Sequence, residues 1–534
     1  MALYTIAMVL GVCAVMPAYV LRAADAAVPH QDIYFNMWRM SWVAHAIRTH
    51  GAFWDANIFT PERWTLAMSD AIPVESLFAA ILLFARVPPV LAHNAVLLGG
   101  MVASGVAMAV LARYLTGNAI AGVIAGLIFS LAPYRLEHVM HLELQWAMWI
   151  PLTFLAVHRL ADTGRWPFGL AIGVSVALQL LSCVYYGVFL ATMLAVACPL
   201  VLLIDVSPVR RRQVLIALGL AGSIAALTAA AYSLPYRRAE QVVGLRPSVE
   251  VARYSAQPGD YLAAPEWNWL YKDSLARRGT PERRLFVGGA AMLLAVIGAV
   301  AGAPRRRPLI YACLAVVAIA MSLGVNGYVY GVAREWLLPY RGLRAPARFA
   351  IMTLFCASVL AAYGYARVAA AWPKARYVVA GLITGVLLLE YHAILPLVAY
   401  ANEPPAIYRI LARLPQGRVV EFPMPLPQTL PGNEAEYQYM STFHWKPLVN
   451  GYSGTYPPSY LRRLDELHAF PDERAVRQLR RDDVTYAIVH VSAYDAGEAA
   501  RILAALDGQA WPRVGAFSDG AGDAVLYLVP RQAK

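Results

Sequence analysis

Charge is what this 534-residue sequence has least of: 15% of its residues are Asp, Glu, Lys or Arg, against about 25% in an ordinary soluble domain. Apolar residues make up 59% of the chain and the mean hydropathy is +0.50. The recurrent long apolar runs read as a polytopic membrane protein and exclude a single soluble core. Cysteine is scarce too. Cys13, Cys183, Cys198, Cys313 and Cys356 lie in apolar runs without metal-ligand spacing, so they read as small packing residues and a structural disulfide is not expected. No P-loop, GxSxG, HExxH or CxxC string occurs, which speaks against a nucleotide-driven pump or a soluble-type hydrolase. Internal repeats and low-complexity runs are missing as well. No Lys or Arg precedes Arg22, and the first apolar stretch is longer than a signal h-region, so it reads as an uncleaved span.

What is present is a net charge of +12. In a soluble chain that excess would suggest nucleic acid. Here it falls partly in short turns between apolar runs, as the positive-inside bias predicts, and the remainder suits anionic lipid or phosphate. No nucleic-acid partner is expected. Eleven spans are read at about 2–21, 90–112, 119–133, 147–160, 167–184, 187–205, 214–233, 285–303, 308–324, 347–370 and 377–398. Residues 73–87 are apolar but short for a crossing and read as a half-embedded helix. On that reading the basic turns at Arg113–Gly117, His158–Arg165, Arg210–Arg212, Arg305–Arg307 and Lys374–Arg376 share the cytoplasmic face. The N-terminus is then inside and the C-terminus outside, with 22–89, 134–146, 234–284 and 325–346 facing outward. After about residue 399 the composition shifts. Strand patterns at 418–424, 484–492 and 523–530 alternate with amphipathic helices at 406–414, 459–470 and 497–508, the pattern of a soluble α/β domain spanning 399–534.

Four constellations carry candidate chemistry. The run 28–50 has helical spacing of Tyr34, Met37, Trp38, Ser41, Trp42 and His45 and reads as an interfacial helix along the lipid surface. Asp32 stands just before it. A carboxylate at an apolar boundary has its pKa raised by desolvation and suits a general base; the competing reading is a helix N-cap. Asp25 and Asp55 are second choices, with turn or cap roles favoured for Asp55. The run 134–146 crowds Arg135, Glu137, His138, His141 and Glu143 into a short outside loop. His138 and His141 share a helix face, and with Glu137 and Glu143 they form a possible site for a divalent metal, Mg or Mn; the alternative is a phosphate-facing turn. In 340–349, Arg341, Arg344 and Arg348 precede a span, and guanidinium groups suit bidentate phosphate binding. In 253–269, Tyr254, Tyr261, Glu266 and Trp267 mix aromatic faces with polar groups, which suits a sugar or an interfacial belt equally. Asn36 and Trp38 are further sugar-facing candidates, and the aromatic run 441–458 reads as an acceptor loop or a structural turn.

One span, an outside loop with interfacial helices, then two spans joined by LARYLTG and closed by SLAPYRLEHVMHLELQ: this arrangement resembles the GT-C superfamily of integral-membrane glycosyltransferases over about residues 1–398. The resemblance implies an about eleven-span GT-C-like helical domain, with 399–534 as a periplasmic or extracellular α/β domain, in a bacterial inner (cytoplasmic) membrane. It implies a polyprenyl-phosphate sugar donor, a glycan, lipid or protein acceptor, and hexosyl or pentosyl transfer with inversion. The catalytic acid of the first outside loop would fall on Asp32, with Asp25 and Asp55 behind it. The donor phosphate would meet Arg135, His138, His141, Arg341, Arg344 or Arg348. No paired DxD or EWD motif accompanies Asp32. Two other classes compete. A lipid-linked-sugar flippase would line a path with ionisable groups inside spans, where the sequence offers mainly Gln179, Glu390 and His392. A membrane scaffold for envelope assembly would leave the crowded loops unexplained.

Overall fold

The computed structural model describes residues 1–244, 247–519 and 522–530. Two residues of the expected 234–284 loop, and residues 520–521 and 531–534 of the expected 399–534 domain, lie outside the described residues. By compactness the chain forms two interleaved units. The first gathers Met1–Val28, Asn94–Tyr232 and Leu245–Val398; the second gathers Pro29–His93, Ser233–Gly244 and Ala399–Lys534.

The first unit is built of helices, and each expected span finds one. Among the described residues, five helices of the chain are long and apolar enough to cross a membrane: Pro89–Thr116, Ala119–Glu137, Val184–Ile204, Pro208–Val243 and Pro346–Ala371. Shorter helices stand at the other expected positions, among them Ala2–Val15, Trp149–Thr163, Trp166–Ser182, Gly289–Ala301, Arg306–Ser322 and Arg376–Tyr391. The first expected span, 2–21, is split. Its helix ends at Val15 and restarts at Pro17, because proline lacks the N–H needed to continue the ladder. The span expected at 214–233 is longer than its apolar run: the helix continues to Val243. Contacts within the second unit hold that polar extension. The Tyr236 hydroxyl meets the Ala71 amide at 3.1 Å, and the Arg238 guanidinium lies 4.5 Å from the Trp64 ring centroid.

Glycine sets the closest helix contact. A Cβ on Gly298 would lie 1.8 Å from the Leu360 carbonyl oxygen, and one on Gly364 would lie 2.0 Å from that of Leu294. The helices Gly289–Ala301 and Ala350–Ala371 therefore pack backbone to backbone, as small residues allow between membrane helices. Four of the five basic turns are also tied to one another. Arg307 donates to Asp162 at 2.7 Å and to Asp205 at 3.1 Å. Arg210 and Tyr114 add further bonds to Asp162. These turns thus share one end of the helices.

The second unit holds a four-stranded sheet. The strand Arg418–Phe422 pairs in parallel with Val484–His490. That strand is antiparallel to Gly522–Leu528, which in turn pairs with Arg513–Asp519. The last is a strand the sequence pattern did not reveal, since Gly515 and Ser518 interrupt its apolar alternation. The helices Ala406–Arg413, Pro458–Leu467 and Ala496–Gly508 stand where amphipathic periodicity put them. The helix Gln31–Thr49 belongs to this unit too. Ile33, Phe35, Met37, Trp38, Met40, Trp42 and Val43 are buried along its length, as are the polar Asn36 and Arg39. Phe35, Trp38 and Trp42 share one core with Val420, Phe422 and Tyr460. The segment expected to lie along the lipid surface is thus covered by protein over much of its length.

Candidate functional site

In the first unit, the loop 134–146, the long loop before the Gly289–Ala301 helix and the start of the Pro346–Ala371 helix meet in one buried ionic cluster. Arg348 is its centre. Its Nε donates to Glu282 Oε2 at 2.9 Å and its Nη2 to Glu282 Oε1, a two-point fork on a carboxylate. The same Nη2 lies 3.4 Å from His141 Nε2. His138 Nδ1 lies 3.4 Å from His141 Nδ1, and His141 Nε2 is 3.7 Å from Glu282. Burial alone would raise the Glu282 carboxyl, but the Arg348 charge and hydrogen bonds outweigh it and hold the group well below the usual carboxylate range. Burial pushes the His138 imidazole down to about 3, so it is neutral.

A second layer surrounds this one. Arg284 pairs with buried Glu137 at 3.3 Å and with exposed Glu266. Arg283 pairs with Asp260 at 2.8 Å, and Arg344 lies 3.7 Å from Glu250 and 5.6 Å from the Tyr254 ring. Each arginine thus arrives matched to a carboxylate, which is how a cation is kept in a poorly hydrated place.

The loop 134–146 and the Arg348 segment, both singled out in the sequence, meet in this cluster. Arg135 is turned to other partners. It is 1% exposed, and its two terminal nitrogens donate to the Leu144 and Gln145 carbonyls at 2.7 and 2.9 Å, closing the loop on itself. Arg341 is exposed and folds back on the Arg334 and Glu335 carbonyls, away from the Arg348 fork. Glu137 is spent on Arg284, and it is Glu282 that joins His138 and His141: their candidate ligand atoms lie within 4.8 Å of one another. Glu143 is buried but outside that group. Two imidazoles and a carboxylate suit a borderline divalent ion better than Mg. Both Glu282 oxygens already accept from Arg348, so a metal would share that carboxylate with the guanidinium through its remaining lone pairs. The signal missed was TPERRLF, a charged triplet at Glu282–Arg284 against the start of a span.

Of the sugar-facing candidates in this unit, Tyr261 is tied to Ser322 at 2.8 Å and Thr353 at 3.2 Å. Trp267 donates to the Leu136 carbonyl at 3.2 Å. Tyr254 and Glu266 keep exposed surface beside the cluster. Asp25 forms a half-exposed pair with Arg22.

Asp32 lies in the second unit. The helix cap is His30, whose Nδ1 accepts from the Asp32 amide at 3.1 Å, so the N-cap reading of the Asp32 side chain does not apply. Its carboxylate sits in the first turn, where the helix dipole favours negative charge. It accepts from the Tyr452 hydroxyl at 2.6 Å and keeps 18% exposure. Asp55 fills the turn role: it accepts from Arg63 at 2.8 Å and from the Trp64 amide at 2.8 Å. Asn36 and Trp38 are both fully buried; Asn36 binds Arg39, and Trp38 donates to Asn57 at 3.1 Å. They are core residues and not a sugar platform. In the run 441–458, His444 and Lys446 serve local structure, while Tyr452 reaches Asp32.

No protein-family model matches the chain, and no curated protein matches it in sequence. Solved structures do match it in three dimensions. Arabinofuranosyltransferase AftD from Mycobacteria aligns over 99% of this chain at 14% identity and a TM-score of 0.64; the chain spans 40% of AftD. The archaeal oligosaccharyltransferase AglB from Archaeoglobus fulgidus, in complex with an inhibitory peptide and a dolichol-phosphate, aligns over 99% of this chain and 74% of its own at 13% identity and a TM-score of 0.50. The chain shares the fold of these two proteins.

Proposed function

We propose that this protein is a membrane glycosyltransferase that moves a hexosyl or pentosyl unit from a polyprenyl-phosphate donor to a hydroxyl acceptor on the outer face of a bacterial inner membrane. The observation that carries the reading is the Arg348 fork. A guanidinium, two imidazoles and a carboxylate from three separated segments meet in one buried cluster, within a fold shared with two glycosyltransferases. A leaving phosphate needs preorganised donors, and this cluster holds a guanidinium and an imidazole in place. Asp32 is the proposed base. Its carboxylate takes the proton of the acceptor hydroxyl as that oxygen attacks the anomeric carbon. The bond from C1 to the phosphate oxygen breaks, and the phosphate leaves with the electron pair. Arg348 and His141 would receive that charge, with Arg344 at the exposed edge. Tyr254 and Glu266 would face the sugar. Attack opposite the leaving group inverts the anomeric centre.

The test is transfer from radiolabelled polyprenyl-phosphate hexoses and pentoses by the full chain in liposomes. Asp32→Asn keeps an oxygen for Tyr452 and is expected to fold, while its turnover falls by about 10²–10⁴. Wild-type turnover in a folded Asp32→Asn protein removes Asp32 as base. Absence of transfer from every donor, together with scrambling of a fluorescent lipid-linked sugar across the bilayer, would support a flippase instead.

A further inference from the structure

Residues of 405–440 and 490–524 in the second unit enclose a cavity of about 190 Å³. None of them was singled out above. Tyr408, Tyr437 and Phe517 supply aromatic walls, and Asn433, Glu436 and His490 supply polar groups. No lysine or arginine lines it among the described residues, and two carboxylates stand at or behind the wall. A phosphate or carboxylate ligand would meet repulsion without a counter-charge.

The histidine is held in place. His490 Nε2 lies 2.8 Å from Glu421 Oε2, and the Tyr408 hydroxyl donates to the same oxygen at 2.6 Å. Glu421 is fully buried, and its Oε1 has no hydrogen-bond partner among the described residues. The Tyr437 ring stacks on the imidazole, with centroids 4.8 Å apart and planes 10° from parallel. The carboxylate behind Nε2 orients the ring. A cavity wall thus carries an imidazole fixed at its edge and its face, beside an amide and a carboxylate. Packing alone needs none of this: burying Glu421 opposite a small void costs stability that an apolar residue would not.

The cavity is smaller than the ~300–1,000 Å³ of drug-sized sites, so it admits one ring. Aromatic faces suit the C–H face of such a ring, and the amide, carboxylate and imidazole suit its hydroxyls. We infer that this cavity binds a single neutral saccharide unit, with Asn433, Glu436 and His490 on its hydroxyl groups. The inference needs neither Asp32 nor a lipid-linked donor, and it concerns a site separate from the Arg348 cluster.

The test is saturation-transfer NMR on the full chain in nanodiscs, without donor, using methyl glycosides of common hexopyranoses and pentofuranoses. Saturation is expected to reach the ring protons of at least one glycoside. Glu436→Gln and His490→Gln are each expected to weaken that binding about tenfold, the worth of one hydrogen bond to a charged or oriented group. Asn433→Ala, half-exposed at the rim, serves if either variant loses its thermal transition. No transfer from any glycoside to the wild type overturns the inference. So does equal transfer in the folded variants, or displacement by butylamine at equal concentration, which would assign an ammonium ligand. Because binding is read without turnover, these results stand whether or not the protein proves to be a transferase.

Discussion

Two buried carboxylates, Glu282 in the first unit and Glu434 in the second, are held in opposite ways. In the first unit, Glu137 and Glu282 face arginines, and Arg348 holds Glu282 ionised. In the second, Glu434 is fully buried, and among the described residues no cation pairs with it. It accepts from Asn450 at 3.0 Å, from the Gly451 amide at 2.8 Å and from the Tyr460 hydroxyl. Burial outweighs these donors and raises its pKa to about 7. Glu436 is raised as well, again mainly by burial. The Arg348 pair holds Glu282 ionised, whereas neutral donors leave Glu434 titrating near physiological pH. A permanent charge suits a site that must meet a leaving phosphate, and a proton-sensitive acid suits a scaffold or a small-molecule pocket.

The comparison breaks first at Arg348. Arg348→Met leaves Glu282 buried without its cation, which is expected to cost about 3–5 kcal/mol. The double variant Arg348→Met, Glu282→Leu is expected to recover most of it, read as thermal unfolding in detergent. If the single variant unfolds like wild type, the first unit does not depend on pairing. The second unit is sharpened by pH. Glu434 has a raised pKa, so the folded state binds its proton more tightly than the unfolded one. Its contribution is fully present below about pH 4.5 and is lost as pH rises through about 7, a change of about 3 kcal/mol. Glu434→Gln is expected to flatten stability between pH 5 and 8, and an unchanged slope would assign the dependence to Glu436 or elsewhere. Tyr452→Phe removes the hydroxyl on Asp32 and is expected to cost about 1 kcal/mol, because that carboxylate retains water. Arg63→Ala, in a pair whose arginine is 71% exposed, is expected to change stability by less than about 0.5 kcal/mol. A larger loss would mean that exposed pairs in this protein carry weight the buried ones were thought to hold.

Much of the helical plan was legible because apolar length and 3.6-residue periodicity act locally. The spans at 119–133, 167–184 and 347–370, and the helices after residue 399, all follow from it. The failures share one cause. The helix through Val243, the burial of the Gln31–Thr49 segment and the strand Arg513–Asp519 are each decided by what packs against them. At the candidate site, His138, His141 and Arg348 stood out as ionisable groups beside spans. Arg135 stood out equally, but its guanidinium closes a loop. Glu282 did not stand out because its neighbours in sequence, Arg283 and Arg284, pair with other acids.

Composition by itself indicated a many-helix chain of apolar runs with its ionisable groups gathered in a few loops, since the cost of charge in hydrocarbon falls on each residue separately. Only the tertiary structure decided which carboxylate faces which cation. An ion pair depends on distance in space, and segments more than two hundred residues apart, such as those carrying His141 and Arg348, leave no mark of that distance on the sequence.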